Sequence, residues 1–260
     1  YAKKAGSGAF SLLFVIGMIC GLVVAFLYIP QADVKTETHG PDIRIKQMIS
    51  ETFKNKPFMI VTLYAIVWSM QAIAGPFVAT YMLRDLKISY FGLGAITAVS
   101  TVFILASSAF WGRMMDKFGC KPVIILCTAL IVPIPFEWIW INTALAAYII
   151  LPILNIVVGF ASAGISVALS TLIYNVTPSK GRSMQFAIYS IVVTLLAAPM
   201  PAIGGMMPGW IKAMGIHTDL RCTFYATQIF TFASFLIALK IPEAGSHTVK
   251  EMFNGLKIEL

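Results

Sequence analysis

Residues 111–121 read Trp-Gly-Arg-Met-Met-Asp-Lys-Phe-Gly-Cys-Lys, and they join two apolar stretches that are long enough to cross a membrane. One stretch ends near Phe110, and the next begins at Pro122. A short connection rich in Lys and Arg is typical of the cytoplasmic side of a membrane. We expect Gly112 and Gly119 to form the turn, because glycine adopts positive φ at no steric cost. The stretch therefore predicts two membrane helices joined by a tight cytoplasmic turn.

The composition of the whole chain agrees with a membrane protein. Of 260 residues, 58% are hydrophobic and 12% are charged, and the mean hydropathy is +0.84. A soluble domain of this length cannot bury so many apolar side chains. The net charge of +8 could indicate nucleic-acid binding, but the basic residues lie between the apolar stretches. Basic residues in those positions orient membrane helices, so we exclude nucleic acid as a partner.

Seven apolar stretches predict an all-α integral membrane protein with seven transmembrane helices. They cover residues 9–29, 58–82, 90–110, 122–141, 148–174, 184–207 and 222–240. Threading these stretches alternately through the membrane places most Lys and Arg on the side of residues 111–121, which also holds the C-terminal tail, 241–260. The C-terminus is therefore expected to be cytoplasmic.

Residues 30–57 form the longest polar segment between the apolar stretches. Ile45, Met48, Ile49 and Phe53 recur there at helical spacing beside basic residues. This pattern predicts an amphipathic helix that lies in the membrane interface, and a solvated linker is the alternative.

Three short motifs resemble those of the major facilitator superfamily of transporters. The first is Gly-x-x-x-Asp-Lys-x-Gly-x-Lys, which that family carries between the second and third helices of each half, although Cys120 stands where the family usually has Arg or Lys. The second is Pro178-x-x-x-Arg182, which resembles the family's Pro-x-x-x-Arg-Gly but is followed by Ser183. The third, Pro-x-x-Gly-Gly, follows Pro199 in the same predicted helix. The matching residues are Gly112, Asp116, Lys117, Gly119 and Lys121 in the first motif and Pro201, Gly204 and Gly205 in the third.

The resemblance implies how the chain is organised and what it does. Residues 1–29 would be the last helix of an incomplete N-terminal half, 30–57 the central cytoplasmic linker, and 58–240 the C-terminal six-helix bundle. Such proteins are secondary active transporters that work by alternating access, with a solute site between two halves. The implied partners are the lipid bilayer, a small-molecule substrate and the missing N-terminal half. The expected location is the bacterial inner membrane.

The resemblance also implies a gate at residues 111–121. In the family, the acid of this motif contacts the positive N-terminus of a helix in the opposite half and holds the cytoplasmic side closed. Asp116 would have that role here, with Lys117, Lys121 and Arg182 beside it. The alternative is a salt bridge within the loop between Asp116 and Lys117, Lys121 or Arg182.

Uncharged polar residues at mid-depth are the substrate candidates. Trp68, Ser69 and Gln71 precede Gly75-Pro76, where a helix kink could expose backbone carbonyls. The other candidates are Asn155 and Gln185, since the resemblance implies that the first, second, fourth and fifth bundle helices line the cavity. The alternative is that each polar side chain bonds a neighbouring helix. Because these candidates carry no charge, we expect a neutral or amphipathic solute, a sugar or a drug-like molecule.

Glu137 is the one acidic residue within a predicted span, and a residue of this kind is a functional candidate by default. Trp138 and Trp140 beside it are typical of an aromatic belt, which favours an interfacial carboxylate over a proton-coupling group. We therefore expect the coupling-ion site to lie mainly in the other half. In the fourth bundle helix, residues 159–168 have small side chains at four-residue spacing, which predicts close helix packing.

Two other classes of membrane protein are alternatives to a transporter. Seven spans also suit a membrane receptor or sensor, but that class does not explain the motif of residues 111–121. A membrane enzyme would need clustered acidic, Cys or His residues, and His39, His217 and His247 lie in different loops. The four cysteines are scattered and form no Cys-x-x-Cys pair. The sequence therefore predicts a transporter without cofactor, metal site or enzymatic activity.

Overall fold

The structure is a computed structural model that describes residues 2–28, 52–178, 182–215, 220–242, 249 and 251–252. The chain divides into two compact units, residues 1–43 and 44–260. In the first unit, α1 (Ala2–Tyr28) covers nearly all of the predicted span 9–29. The predicted interfacial helix and most of the C-terminal tail lie outside the described residues.

The second unit is all-helical in its described residues. Two short 3₁₀ helices, Met70–Ile73 and Ile134–Ile139, interrupt the predicted spans 58–82 and 122–141, which are the first and third spans of the bundle. The α-helices are α2 (Lys56–Ser69), α3 (Gly75–Arg84), α4 (Tyr90–Phe118), α5 (Cys120–Ile131), α6 (Ala144–Val176), α7 (Arg182–Ala197), α8 (Met200–Ala213) and α9 (Arg221–Ala238).

Five helical segments among the described residues are long and apolar enough to cross a membrane. They are Lys56–Arg84, Tyr90–Phe118, Cys120–Ile139, Ala144–Val176 and Arg182–Ala213. The described apolar part of α1, Phe14–Leu27, is shorter, and α9 is not among the five. The buried hydroxyls of α9 are satisfied within the helix: Thr227, Thr231 and Ser234 each donate to a backbone carbonyl three or four residues earlier.

Side-chain caps begin three of these helices. Ser89 accepts a hydrogen bond from the Gly92 amide at 3.1 Å, and Thr143 accepts one from Ala146 at 3.2 Å. Asn55 caps α2 and also donates from Nδ2 to the carbonyl of Val176 at 2.9 Å. That second bond ties the start of α2 to the end of α6.

The connection between α4 and α5 differs from the prediction. We expected the turn to begin near Gly112, but α4 continues to Phe118, and Gly112 is helical. The turn is Gly119 alone, with φ 89° and ψ 169°. That conformation belongs almost exclusively to glycine. The two helices are therefore joined by a single residue.

The first and fifth spans of the bundle touch where their α-helices break. The first span changes from α2 to α3 through the 3₁₀ turn, and Pro76 lies in the first turn of α3, where its missing amide costs nothing. The fifth span breaks between α7 and α8 at Pro199. A β-carbon at Gly204 of α8 would collide with the carbonyl oxygen of Ile73. The absence of a side chain at Gly204 thus lets the two breaks approach each other.

The core has two clusters of buried side chains, one towards each end of the bundle. We call the end with the single-residue turn the Gly119 end, and the opposite end, where α3 meets α4, the Asp85 end. Trp111 is central to the first cluster and donates from Nε1 to the carbonyl of Phe160 at 2.7 Å. Trp138 belongs to the second cluster. α6 packs along both α4 and α5, and a β-carbon at Gly164 would collide with the sulfur of Cys127.

Candidate functional site

A cavity of about 450 Å³ lies between α2, α4, α6 and α7, which are the first, second, fourth and fifth spans of the bundle. This volume is within the range of about 300 to 1,000 Å³ that is typical of small-molecule sites. Its lining contains four hydroxyl groups, two further aromatic rings and several aliphatic side chains, but no charged side chain. We call it the hydroxyl cavity. It is lined by Trp68, Ile104, Ser162, Ile165, Ser166, Leu169, Ser170, Ile173, Phe186 and Tyr189.

Three of these hydroxyls come from one face of α6. Ser162, Ser166 and Ser170 follow one another at four-residue spacing, so their side chains lie above one another along the helix. Ser170 donates its proton to the carbonyl of Ser166 at 2.9 Å and keeps its oxygen lone pairs for another donor. The small-residue pattern in this helix favoured close packing, with a smooth face for rocking motion as the functional alternative. The serine spacing was the signal that this face also lines a cavity.

Trp68 is the sequence-predicted substrate residue that the structure places in this cavity. Its ring stacks on Tyr64, with ring centroids 6.3 Å apart and an interplanar angle of 10°. The hydroxyl of Tyr64 is hydrogen-bonded to that of Thr128 on α5 at 2.8 Å. The orientation of Trp68 is therefore fixed by a helix that does not itself line the cavity.

The structure does not bring the other four predicted substrate residues into the hydroxyl cavity. Ser69 directly precedes the 3₁₀ helix Met70–Ile73, Gln71 lies within it, and Gln185 is buried near the start of α7. Gln71 Nε2 and Gln185 Oε1 are buried and have no hydrogen-bond partner within the described part of the chain. Asn155 donates to the carbonyl of Leu151 at 2.8 Å and lines a different cavity. Their roles in binding remain predictions.

The second cavity, of about 260 Å³, lies towards the Asp85 end, and we call it the Glu137 cavity. Residues from α3, α4, the second 3₁₀ helix and α6 line it, among them Thr97, Glu137, Trp138 and Asn155. The carboxylate oxygen Oε2 of Glu137 is buried and has no hydrogen-bond partner within 52–178, 182–215 and 220–242. Glu137 therefore lines a cavity of the bundle, and the interfacial position that the sequence favours for its carboxylate stays a prediction.

The aromatic belt predicted around Glu137 is only half present. Trp140 is 68% exposed, as a belt residue would be, but Trp138 is 4% exposed. The ring of Trp138 packs edge-on against that of Tyr81, with ring centroids 5.7 Å apart. It also packs against the ring of Phe224, with ring centroids 4.6 Å apart. Trp138 is a core residue that holds the wall of the Glu137 cavity in place.

The predicted gating residues lie at the Gly119 end. Asp116 is exposed in the last turn of α4 and makes no hydrogen bond or ion pair with any residue that the structure describes. The alternative of a salt bridge to Lys117, Lys121 or Arg182 is therefore absent from this conformation. Arg182 instead donates to the carbonyl of Thr177 at 3.3 Å. Its guanidinium also lies 3.8 Å from the centre of the Tyr174 ring, a cation–π contact that anchors α7 to the end of α6.

Comparison with known proteins agrees with this architecture. Residues 60–255 match the sequence model of the Major Facilitator Superfamily. A protein described as a multi-drug resistance efflux pump PmrA homolog, from Lactococcus lactis subsp. lactis (strain IL1403), is 22% identical over 236 residues. That alignment covers 88% of this chain and 56% of the relative, so the chain spans about half the length of the relative that it matches. The membrane-length helices and the family match together show that this chain is an integral membrane protein that belongs to the Major Facilitator Superfamily.

Proposed function

We propose that this chain is the C-terminal part of a secondary active transporter that moves a neutral or amphipathic solute by alternating access. Family membership supports a membrane transporter rather than an enzyme. Neither comparison supports the alternative of a seven-helix receptor. Half of a two-half transporter forms one wall of the solute pathway, and the other half must supply the opposite wall.

The observation that carries the choice of solute is the lining of the hydroxyl cavity. Its polar groups are the hydroxyls of Ser162, Ser166, Ser170 and Tyr189, and no basic or acidic side chain lines it. An ionic solute would lose its hydration there without gaining an opposite charge, which is costly. A neutral solute gains both hydrogen bonds and apolar contact.

The ring of Trp68 gives the cavity a flat apolar wall that is held in one orientation by Tyr64. Aromatic walls with few polar groups bind flat, amphipathic molecules well. The efflux-pump description of the Lactococcus relative supports a drug-like solute over a sugar. Both remain compatible with the hydroxyls.

Asp116 is proposed as the gating residue of this half. Its carboxylate is exposed at the Gly119 end and has no partner among the described residues, so it is available to a helix N-terminus of the other half. The Gly119 end is then the cytoplasmic end, in the inner membrane of a bacterium. Any gradient that drives transport would act mainly through the other half.

Transport by the complete protein in lipid vesicles tests this proposal, with benzamide, benzoate and glucose as solutes. Benzamide and benzoate have nearly the same shape and differ in charge. We expect saturable uptake of benzamide, and we expect the Tyr189→Phe variant to weaken it by about two- to tenfold, the cost of one neutral hydrogen bond. The Tyr225→Phe variant makes the same change on an exposed face of α9 and is the matched control.

Saturable uptake of benzoate alone, unaffected by Tyr189→Phe, would overturn the neutral solute. Equal weakening by Tyr189→Phe and Tyr225→Phe would remove the hydroxyl cavity from the pathway.

A further inference from the structure

The Glu137 cavity contains a carboxylate that the described part of the protein leaves without a partner. Oε2 of Glu137 is buried, and no hydrogen bond reaches it from the residues described. Burying an unpaired charged or polar group is costly, so such a group is found where something else completes it. The cavity in front of Glu137 has room for that missing partner.

The other polar groups of this cavity offer hydrogen-bond acceptors. Thr97 gives its hydroxyl proton to the carbonyls of Leu93 and Gly94, each at 3.0 Å, so its oxygen lone pairs can still accept a hydrogen bond. Asn155 uses one amide proton on the carbonyl of Leu151, and its Oδ1 can still accept. Together with the carboxylate, these oxygens favour a positively charged ligand over an anion.

No basic side chain lines the cavity to neutralise Glu137. The two arginines described at the Asp85 end are engaged elsewhere. Arg84 pairs with Asp85 at 3.2 Å, and Arg221 donates to the side chain of Asn142 and lies 5.9 Å from the ring centre of Tyr81. A cationic ligand would supply the positive charge that the lining of this cavity lacks.

An aromatic wall narrows the ligand class. Trp138 lines the cavity beside the carboxylate, and its ring is fixed by Tyr81 and Phe224. Proteins hold organic ammonium ions beside aromatic rings, Trp above all, because the ring quadrupole attracts the cation. The aliphatic residues of the lining, such as Met82, Ile96 and Leu151, suit the methyl groups of such an ion.

We propose that the Glu137 cavity binds a small organic ammonium ion, with the Glu137 carboxylate as its counter-charge and Trp138 as its aromatic contact. The volume of about 260 Å³ is just below the usual lower bound of about 300 Å³ for small-molecule sites, so it fits an ammonium head group rather than a large drug. This site is separate from the hydroxyl cavity and does not depend on the proposed solute.

Choline and 3,3-dimethylbutan-1-ol provide the test, because they have nearly the same shape and only choline is charged. Binding to the purified protein in lipid nanodiscs is measured by equilibrium dialysis. We expect choline to bind at least about tenfold more tightly than its neutral analogue. The Glu137→Gln variant should remove that preference, whereas Asp85→Asn, which neutralises an exposed carboxylate at the same end, should keep it.

A second variant keeps the carboxylate and fills the cavity. Leu154 lines the cavity, and Leu154→Phe should weaken choline binding at least about tenfold while Glu137 remains ionisable. This variant decides the matter if Glu137→Gln does not fold, as judged by circular dichroism. Equal binding of choline and its neutral analogue, or unchanged choline binding in Leu154→Phe, would overturn the proposal. A site at which Glu137 only takes up and releases a proton would bind choline and its neutral analogue equally well, because choline is permanently charged and brings no such proton. That result would also overturn the proposal.

Discussion

The hydroxyl cavity and the Glu137 cavity lie in the same bundle and share two helices, α4 and α6, yet they present opposite chemistry. The hydroxyl cavity has hydroxyl groups from α6 and α7 and no charge. The Glu137 cavity is smaller and contains one buried carboxylate oxygen without a partner among the described residues. The difference teaches that one helical bundle can form two cavities of different polarity from the same pair of helices.

The break in the first span separates the two cavities. Trp68, just before the 3₁₀ turn, lines the hydroxyl cavity, whereas Gly75 and Val78, just after it, line the Glu137 cavity. A change at the break should therefore affect both cavities. A change within one cavity should leave the other unaffected.

The largest effect is expected where α8 crosses the break. Gly204→Val places side-chain atoms against the carbonyl of Ile73, and overpacking of this kind costs about 1–3 kcal/mol of folding free energy. Thermal unfolding followed by circular dichroism should show a lower Tm, and ligands of both cavities should bind less tightly. Gly209→Val is the control, because a β-carbon at Gly209 of the same helix meets no atom within 4 Å. Equal Tm values for the two variants would refute the contact between the breaks.

A smaller effect is expected from the aromatic wall of the hydroxyl cavity. Trp68→Ala removes the surface that Tyr64 orients, and the lost aromatic contact should weaken benzamide binding by about two- to tenfold. Gln71→Ala, one turn along the same span, should have little effect, since the structure places Gln71 outside the cavity lining. If Gln71→Ala weakens benzamide binding more than Trp68→Ala does, the result supports the sequence-based assignment of Gln71 to the substrate site.

The gate should contribute a smaller effect again. Asp116→Asn removes an exposed charge, and charge–dipole contacts at exposed helix ends are worth about 0.3–1 kcal/mol. Transport by the complete protein should fall by about two- to fivefold, while expression and membrane insertion stay nearly intact. The Asp85→Asn variant controls for the loss of a surface carboxylate. Unchanged transport by Asp116→Asn at equal protein amount would remove Asp116 from the mechanism.

The smallest effect is expected when a change in one cavity is tested against ligand binding in the other cavity. Glu137→Gln should change benzamide binding by less than about twofold, because Glu137 does not line the hydroxyl cavity. It should also leave gradient-driven transport intact. A variant that loses gradient-driven transport but keeps downhill exchange would make Glu137 the proton-coupling group.

The sequence predicted the fold well because the apolar stretches alone fix where membrane helices lie. Five of the predicted spans coincide with membrane-length helical segments, with differences mainly at their ends. The end of α4 was misplaced by several residues, because Gly112 looked like the start of a turn although a helix accepts an isolated glycine at a modest cost. Only the backbone angles of Gly119 show which glycine forms the turn.

The sites could be predicted only in part, because hydropathy says how deep a residue lies and not which way it faces. Trp68 lines the hydroxyl cavity, whereas Gln71, three residues later and at a similar depth, is absent from its lining. Glu137 was assigned to the interface from its neighbours in sequence. Its cavity is formed by α3, α4 and α6, which are distant in sequence and come together only through packing.

The single-residue turn at Gly119 also limits the insertion of residues between α4 and α5. Adding one residue between α4 and α5 would rotate every side chain of α5 by about 100° about its axis, since a helix has 3.6 residues per turn. Thr128 would then turn away from Tyr64, and the stack that orients Trp68 would lose its support. Insertions of tags or reporter domains at this connection would therefore disturb the hydroxyl cavity from a distance, although the point of insertion touches none of its lining residues.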